Sequence, residues 1–297
     1  VAPLVMIAFN RPDLLRDQLK IIRQVHRGQI FCVVDGPRAS KVGESEKVAE
    51  VVELLRGLDR EYDVKYNLAE SNLGCYQRIK TGLDWVFSQT GEAIILEDDC
   101  MPGAHFFVFA NQMLERYAKD ERVFSIAGTN LFPELSLAGQ SYFFSRYANC
   151  WGWATWARAW QHFIDPQEEW EKIRETDGFC KSFRNWRSFL YWRHVFDRVY
   201  GGKTNSWAYR WMLTCWMQSG LSVNAHVNLI ANVGDGADAT HTARSTLTRR
   251  ELGEMSWPLL EPKYVIPNAL FDAKMEDAVY SKSSMNRLRW CFGIPRR

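Results

Sequence analysis

The sequence predicts an α/β fold, a mostly parallel sheet with helices on both faces, and three observations carry that expectation. Short apolar runs alternate with amphipathic stretches through the first hundred residues. Two of the runs, Ile30–Val34 and Ala93–Leu96, are apolar throughout, as in strands buried on both faces. Both end abruptly in carboxylates beside Gly-Pro or Pro-Gly turns: Asp35-Gly36-Pro37 after the first, and Glu97-Asp98-Asp99 with Pro102-Gly103 after the second.

Taken in order, Val1–Ala8 reads as the first strand. It runs into Asn10, a suitable helix cap, then Pro12 for the first turn and Asp13 for the positive end of the helix dipole. Leu14, Leu15, Leu19, Ile22 and Val25 repeat at helical spacing. Ile30–Val34 is the second strand, Glu44–Leu58 the second helix and Val64–Asn67 a short third strand. Asn72-Leu73-Gly74 opens a third helix that runs through Phe87 and carries Arg78. The strand Ala93–Leu96 follows, then a helix over Phe106–Tyr117 and strands over Arg122–Ala127 and Tyr142–Tyr147. Trp151-Gly152-Trp153 reads either as an aromatic core corner or as the wall of a site for something flat, with Gly152 permitting close approach. Glu168–Trp192 is helical in pieces, Trp207–Met217 a helix and Leu221–Leu229 a strand. A glycine-flanked loop with Asp235, Asp238 and His241 comes next.

Composition narrows the function classes. At 297 residues the chain can form one large domain or two small ones. A net charge of +2 makes no case for nucleic acid as a partner. The 13 tryptophans suit a protein that stacks flat hydroxylated ligands or packs bulky layers. Seven scattered cysteines without CxxC spacing favour reduced thiols in a cytoplasmic compartment and offer no zinc site. No apolar run reaches membrane-spanning length, and no signal-peptide pattern opens the sequence. The tail after Val279 carries Lys282, Arg287, Arg289, Arg296 and Arg297 among Leu288, Trp290 and Phe292, with no acid. It reads as a solvated tail, a link to further domains or a peripheral contact with an anionic membrane surface.

Neither GxxxxGK[ST] nor GxGxxG occurs, so the phosphate loop and the dinucleotide fingerprint are excluded. The acidic strand end remains. Three adjacent carboxylates repel one another and are costly to desolvate alone. They read as a solvated acidic turn or as ligands of a divalent cation that bridges to phosphate oxygens. Oxygen donors with one imidazole, His241, suit Mn²⁺ or Mg²⁺.

These residues resemble the GT-A fold glycosyltransferases, both the bacterial family 2 type and N-acetylglucosaminyltransferase I. The resemblance runs from Leu4 to about Thr242. It is carried by Asn10-Arg11-Pro12, Asp35, Arg78, Glu97-Asp98-Asp99 as the DXD-type motif, Trp151-Gly152-Trp153 and His241. It implies a nucleotide-sugar-binding half over 1–130, an acceptor-binding half of the same domain over 131–245, and a C-terminal extension over 246–297. It further implies a metal-dependent transfer of sugar from a nucleotide diphosphate sugar, UDP-linked, to a carbohydrate or glycoconjugate hydroxyl. Asp99, with Asp98 and His241, would hold Mn²⁺ or Mg²⁺. Asp35 would meet the base or ribose, Arg78 the uracil edge or a phosphate, and Glu97 the sugar, while Trp151 and Trp153 would line the site. Inverting relatives place a carboxylate base in the stretch matching Asn205–Trp211, and this chain has none there. Asp235 and Asp238 are the nearest replacements, Asp235 being flanked by Gly234 and Gly236. Two other classes share parts of the pattern. One is a non-catalytic nucleotide-sugar or glycan-binding module; the other is a sugar-nucleotide pyrophosphorylase, which would carry a Gly-rich basic loop where this chain has Asn10-Arg11-Pro12.

Overall fold

In the computed structural model, which describes residues 1–135, 139–234 and 251–281, one eight-stranded sheet organises the chain. The first strand, β1 (Leu4–Ala8), is followed by α1 (Pro12–Val25), β2 (Ile30–Val34), α2 (Glu44–Arg56), β3 (Val64–Leu68), α3 (Gly74–Phe87) and β4 (Glu92–Glu97). The short β5 (Cys100–Pro102), α4 (Ala104–Arg116), β6 (Val123–Ala127), β7 (Tyr142–Ser145) and β8 (Trp153–Trp156) come next. After them lie α5 (Ala157–Trp160), α6 (Gln167–Ile173), α7 (Asp177–Lys181), α8 (Trp186–Tyr200), α9 (Trp207–Met217), β9 (Leu221–Ala225) and β10 (Ile230–Asn232). A last helix, α10 (Ala269–Met275), continues into a π-helical turn over Glu276–Ser281.

The sheet order is β3-β2-β1-β4-β8-β6-β9-β7. The strands β3, β2, β1 and β4 run parallel; β8 is antiparallel to both of its neighbours, and β7 is antiparallel to β9. The predicted α/β class is therefore the observed one. Strand alternation splits the core between the two faces. Leu4, Met6, Ile30, Cys32, Ile94 and Leu96 face α1, α2 and α4. Val5, Ile7, Phe31, Val33 and Ile95 face α3 and α9. Each fully buried aliphatic side chain contributes about 1.5–3 kcal/mol relative to exposure, so these two layers dominate the stability. A third cluster, rich in Trp and Phe, joins α8, α9, β7 and α10.

Several expectations are corrected. Asn10 does not cap α1. Arg11 takes the cap position without a capping bond from its side chain, and Asn10 Nδ2 donates instead to Glu44 Oε1 at 2.9 Å. Trp153–Trp156 forms a strand between β4 and β6 that the aromatic content concealed. Gly152 does approach something closely, at φ +60°, but its neighbour is the Ile230 side chain, which an added Cβ would meet at 2.4 Å. The predicted strand Leu221–Leu229 stops at Ala225, and Ile230–Asn232 turns away to pair with β5.

The segment from 251 onward returns to the sheet. Asn268 N donates to Phe144 O at 2.7 Å, and Phe271 and Met275 are buried in the third cluster. Among the described residues no helix is long and apolar enough to cross a membrane. The basic residues from Lys282 onward lie outside the described residues.

Candidate active site

In a sheet of this order the chain leaves β1 to one side for β2 and to the other for β4. Ligands of open α/β sheets bind at the carboxyl ends of strands where that reversal occurs. Here the two strand ends meet in charge. The register sets Ile7 beside Glu97, so the residues after β1 face those after β4. Phe9 N donates to Asp98 Oδ2 at 3.2 Å. Arg11 Nη1 lies 3.1 Å from Asp98 Oδ1 and 2.8 Å from Asp99 Oδ2, so one nitrogen bridges both carboxylates. The side chains of Arg11, Asp98 and Asp99 are 20%, 9% and 16% exposed, a shielded cluster that still opens to solvent.

The surrounding chain pins this turn. Gln18 of α1 donates through Nε2 to Glu97 O at 2.8 Å and to Cys100 O at 2.7 Å. From β10, Asn232 Nδ2 reaches Asp99 Oδ1 at 3.4 Å and Val233 N donates to Asp99 O at 2.9 Å. Gly234 N donates to Asn232 Oδ1 at 3.0 Å, and a Cβ on Gly234 would fall 2.2 Å from Asp99 Oδ2. Only glycine leaves the Asp99 carboxylate that space. Gln18 and Asn232 were not singled out by sequence, and Gly234 was noted only as flanking Asp235. The readable signal was Gln18, a polar residue on the apolar stripe of α1 and only 1% exposed.

Charge in the cluster is unbalanced, with three carboxylates against one guanidinium. Burial, then the charges of Asp99 and Asp98, raise the Glu97 pKa well above the ordinary carboxyl range; Arg11 and a hydrogen bond from Trp207 only partly offset this. Burial likewise raises Asp98, against Arg11 and the Phe9 N–H. Burial alone would lower the pKa of Arg11, yet Asp98, Asp99 and Glu97 raise it. A hard dication matches both the oxygen donors and the missing positive charge. Among the described residues, no three His, Cys, Asp or Glu side chains are already gathered about one metal-sized point. The point between Asp98 and Asp99 is taken by Arg11 Nη1.

The other candidate residues fall as follows. Asp35, at the end of β2, accepts from Gly36 N and Leu73 N on Oδ1, both at 2.9 Å. Its Oδ2 accepts from Asn72 Nδ2 at 2.9 Å and Gly74 N at 3.0 Å. Arg78 is buried on α3, where Nη2 donates to Asn67 O and Oδ1 at 2.5 and 2.8 Å. Its Nε has no hydrogen-bond partner among the described residues. Trp153 is fully buried and stacks on Trp207 at 5.3 Å, so no face of this ring is open to a ligand. Trp151 is half-buried, and its carbonyl accepts from Thr129 Oγ1 at 2.7 Å. The stretch without a carboxylate has structural partners: Asn205 Oδ1 accepts from Tyr76 N at 3.0 Å, and Arg210 lies between the Tyr76 and Tyr200 rings at 4.2 and 4.1 Å. Asp235, Asp238 and His241 lie outside the described residues.

No family model matches the chain, and none of the curated proteins matches it. Solved structures do. The mannosyltransferase PcManGT from Pyrobaculum calidifontis, in complex with GDP-Man and Mn²⁺, is 12% identical over 72% of this chain and 69% of its own, with a TM-score of 0.42. TarS 1–349 of S. aureus is 8% identical over 67% and 72%, at 0.41. The galactosyltransferase LgtC, with donor and acceptor sugar analogs, is 12% identical over 75% and 73%, also at 0.41.

Proposed function

We propose that the chain is a GT-A type glycosyltransferase that moves a sugar from a nucleotide diphosphate sugar to a hydroxyl acceptor on a glycan or glycoconjugate. The observation that carries the reading is the meeting of Glu97, Asp98 and Asp99 with Arg11 at the reversal point between β1 and β4. In the resemblance set out above, that is where the donor diphosphate lies. Asp99, with Asp98, would hold Mn²⁺ or Mg²⁺ through the carboxylate oxygens that meet Arg11 Nη1. When bound, the dication supplies Lewis-acid neutralisation of the departing nucleotide diphosphate.

The chain's own residues do the rest. Gln18 and Val233 hold the main chain of the acidic turn at both ends, so its carboxylates are positioned without reorganising. Glu97, steadied by the Trp207 indole, faces the sugar. The end of α9 that carries Trp207 thus adjoins the donor side, which supports an acceptor position beside it. Arg78, with an unpartnered Nε near the charge of Asp35, serves the nucleoside side. Asp35 joins it there by exchanging one of its four donors for a ribose hydroxyl. Asp235 takes the acceptor proton, favoured in the sequence by the flanking Gly234 and Gly236. Asp238 is the alternative base and His241 a further metal or phosphate contact. A general base within reach of the acceptor hydroxyl typically contributes about 10²–10⁴-fold.

The test is a donor screen by calorimetry with UDP-, GDP- and dTDP-sugars in Mn²⁺ and again in EDTA, followed by acceptor transfer with the donor that binds. Metal-dependent binding and transfer are expected. Binding without transfer would favour the non-catalytic module, and no binding of any nucleotide sugar would end the reading.

A further inference from the structure

Arg11 stands where a cation would stand. We infer that Arg11 is a built-in competitor for the divalent cation, a counter-ion that occupies the point between Asp98 and Asp99 and sets how tightly the site takes metal. This rests on the metal site proposed above. A single nitrogen, Nη1, contacts one oxygen of each carboxylate, at 3.1 and 2.8 Å. A dication using the same oxygens and this guanidinium cannot share that position.

The local structure allows the side chain to move while its backbone stays fixed. Arg11 sits at the cap of α1, its carbonyl accepts from Leu15 N at 3.1 Å, and Pro12 begins the helix. Asn10 on its other side is tied to Glu44, whose carboxylate is itself clamped by Arg38. Only the side-chain torsions are left to change, and the side chain is 20% exposed, so a path to solvent exists. The carboxylates stay in place. Asp98 keeps the Phe9 N–H, and the main chain of Asp99 keeps Val233. Gly234 packs so closely on Asp99 Oδ2 that an added Cβ would fall 2.2 Å from it, so the position open to an incoming ion is the one Arg11 Nη1 vacates.

The result is an apparent metal affinity below the intrinsic one, because only the fraction of molecules with Arg11 swung away is competent. If nine-tenths of molecules hold Arg11 in place, the apparent affinity is reduced about tenfold. Metal alone then binds weakly, while the unliganded acids remain paired rather than repelling one another.

The experiment is a titration of Mn²⁺ alone, followed by calorimetry and by the Mn²⁺ paramagnetic resonance signal, on wild type, Arg11→Met, Arg11→Lys and Asp99→Asn. Melting curves are recorded in parallel. Arg11→Met should bind Mn²⁺ about tenfold more tightly than wild type, Arg11→Lys should fall between them, and Asp99→Asn should lose binding. If Arg11→Met fails to fold, the comparison rests on Arg11→Lys, which keeps a charge but loses the two-carboxylate reach. Equal or weaker Mn²⁺ binding in the folded Arg11 variants overturns the inference, as does the absence of Mn²⁺ binding in every protein. A nucleotide sugar titrated into the Mn²⁺-loaded wild type separates the two ideas. If the sugar does not bind, the proposed function fails, while the Arg11 effect is still judged on Mn²⁺ alone.

Discussion

Asp35 and Asp99 close the strands on either side of β1, and they are satisfied in opposite ways. Asp35 takes four neutral N–H donors, three from the backbone and one from Asn72, which fills the lone-pair positions of both its oxygens. Three of the four come from residues 72–74, so the carboxylate locks the start of α3 onto the end of β2. Asp99 takes one shared arginine nitrogen, a long contact from Asn232 and a weak one from the Cys100 thiol. A carboxylate filled by fixed donors stabilises the fold, and a ligand hydroxyl reaches it only by displacing one of them. One held by a long cationic side chain can exchange that partner for another cation.

Three substitutions and a change of pH test this contrast. The largest effect belongs to Asp35→Ala, which leaves Gly36, Leu73 and Gly74 N–H groups without an acceptor. Chemical denaturation should show a loss of about 3–5 kcal/mol, since each hydrogen bond to a charged group contributes about 1.5–3 kcal/mol and part is recovered by water. A loss under 1 kcal/mol would mean that the carboxylate does not hold this corner.

Asp99→Asn should do the reverse. The fold survives, because a repelling charge is removed from beside Asp98, but donor affinity in Mn²⁺ falls about 100-fold, or about 2.7 kcal/mol. Undiminished affinity would place the metal elsewhere. Gly234→Ala should weaken Mn²⁺-supported donor binding about tenfold, since its Cβ takes space 2.2 Å from Asp99 Oδ2. Unaltered binding would show that the loop gives way.

The smallest effect is in pH. Burial raises the pKa of Asp98 in the folded state, so between the ordinary carboxyl range and that raised value the folded chain keeps a proton that the unfolded chain has released. Stability of the metal-free protein should therefore fall as pH rises through that window, by at most about 1.4 kcal/mol per pH unit for this group. Asp98→Asn should flatten the slope, and added Mn²⁺ should reduce it. A metal-free profile that rises instead would contradict the assigned shift.

Much of this was legible in residue order because it rests on local regularities. Short apolar runs and period-3.6 patterns place β1 to β4 and α1 to α4 within a few residues. The abrupt passage from Ile94-Ile95-Leu96 to Glu97-Asp98-Asp99 marks a strand end in contact with something charged. What stayed hidden was everything settled by contacts across long separations. Trp153 could be a ligand wall or a core residue by composition, and only the packing of β8 between β4 and β6, with Trp207 on one face of the ring, assigns it to the core. Arg11 and Asp99 are 88 residues apart, and nothing in either neighbourhood says that one nitrogen will bridge two acids. By itself the sequence determined the α/β class, the strand ends and the acidic cluster, because hydrophobic periodicity and turn chemistry act over a few residues. Tertiary structure alone decided which carboxylate is closed, which is open and what cation stands between Asp98 and Asp99. Partner choice there depends on the register of β1 against β4, which brings distant polar groups within reach while shielding them from water.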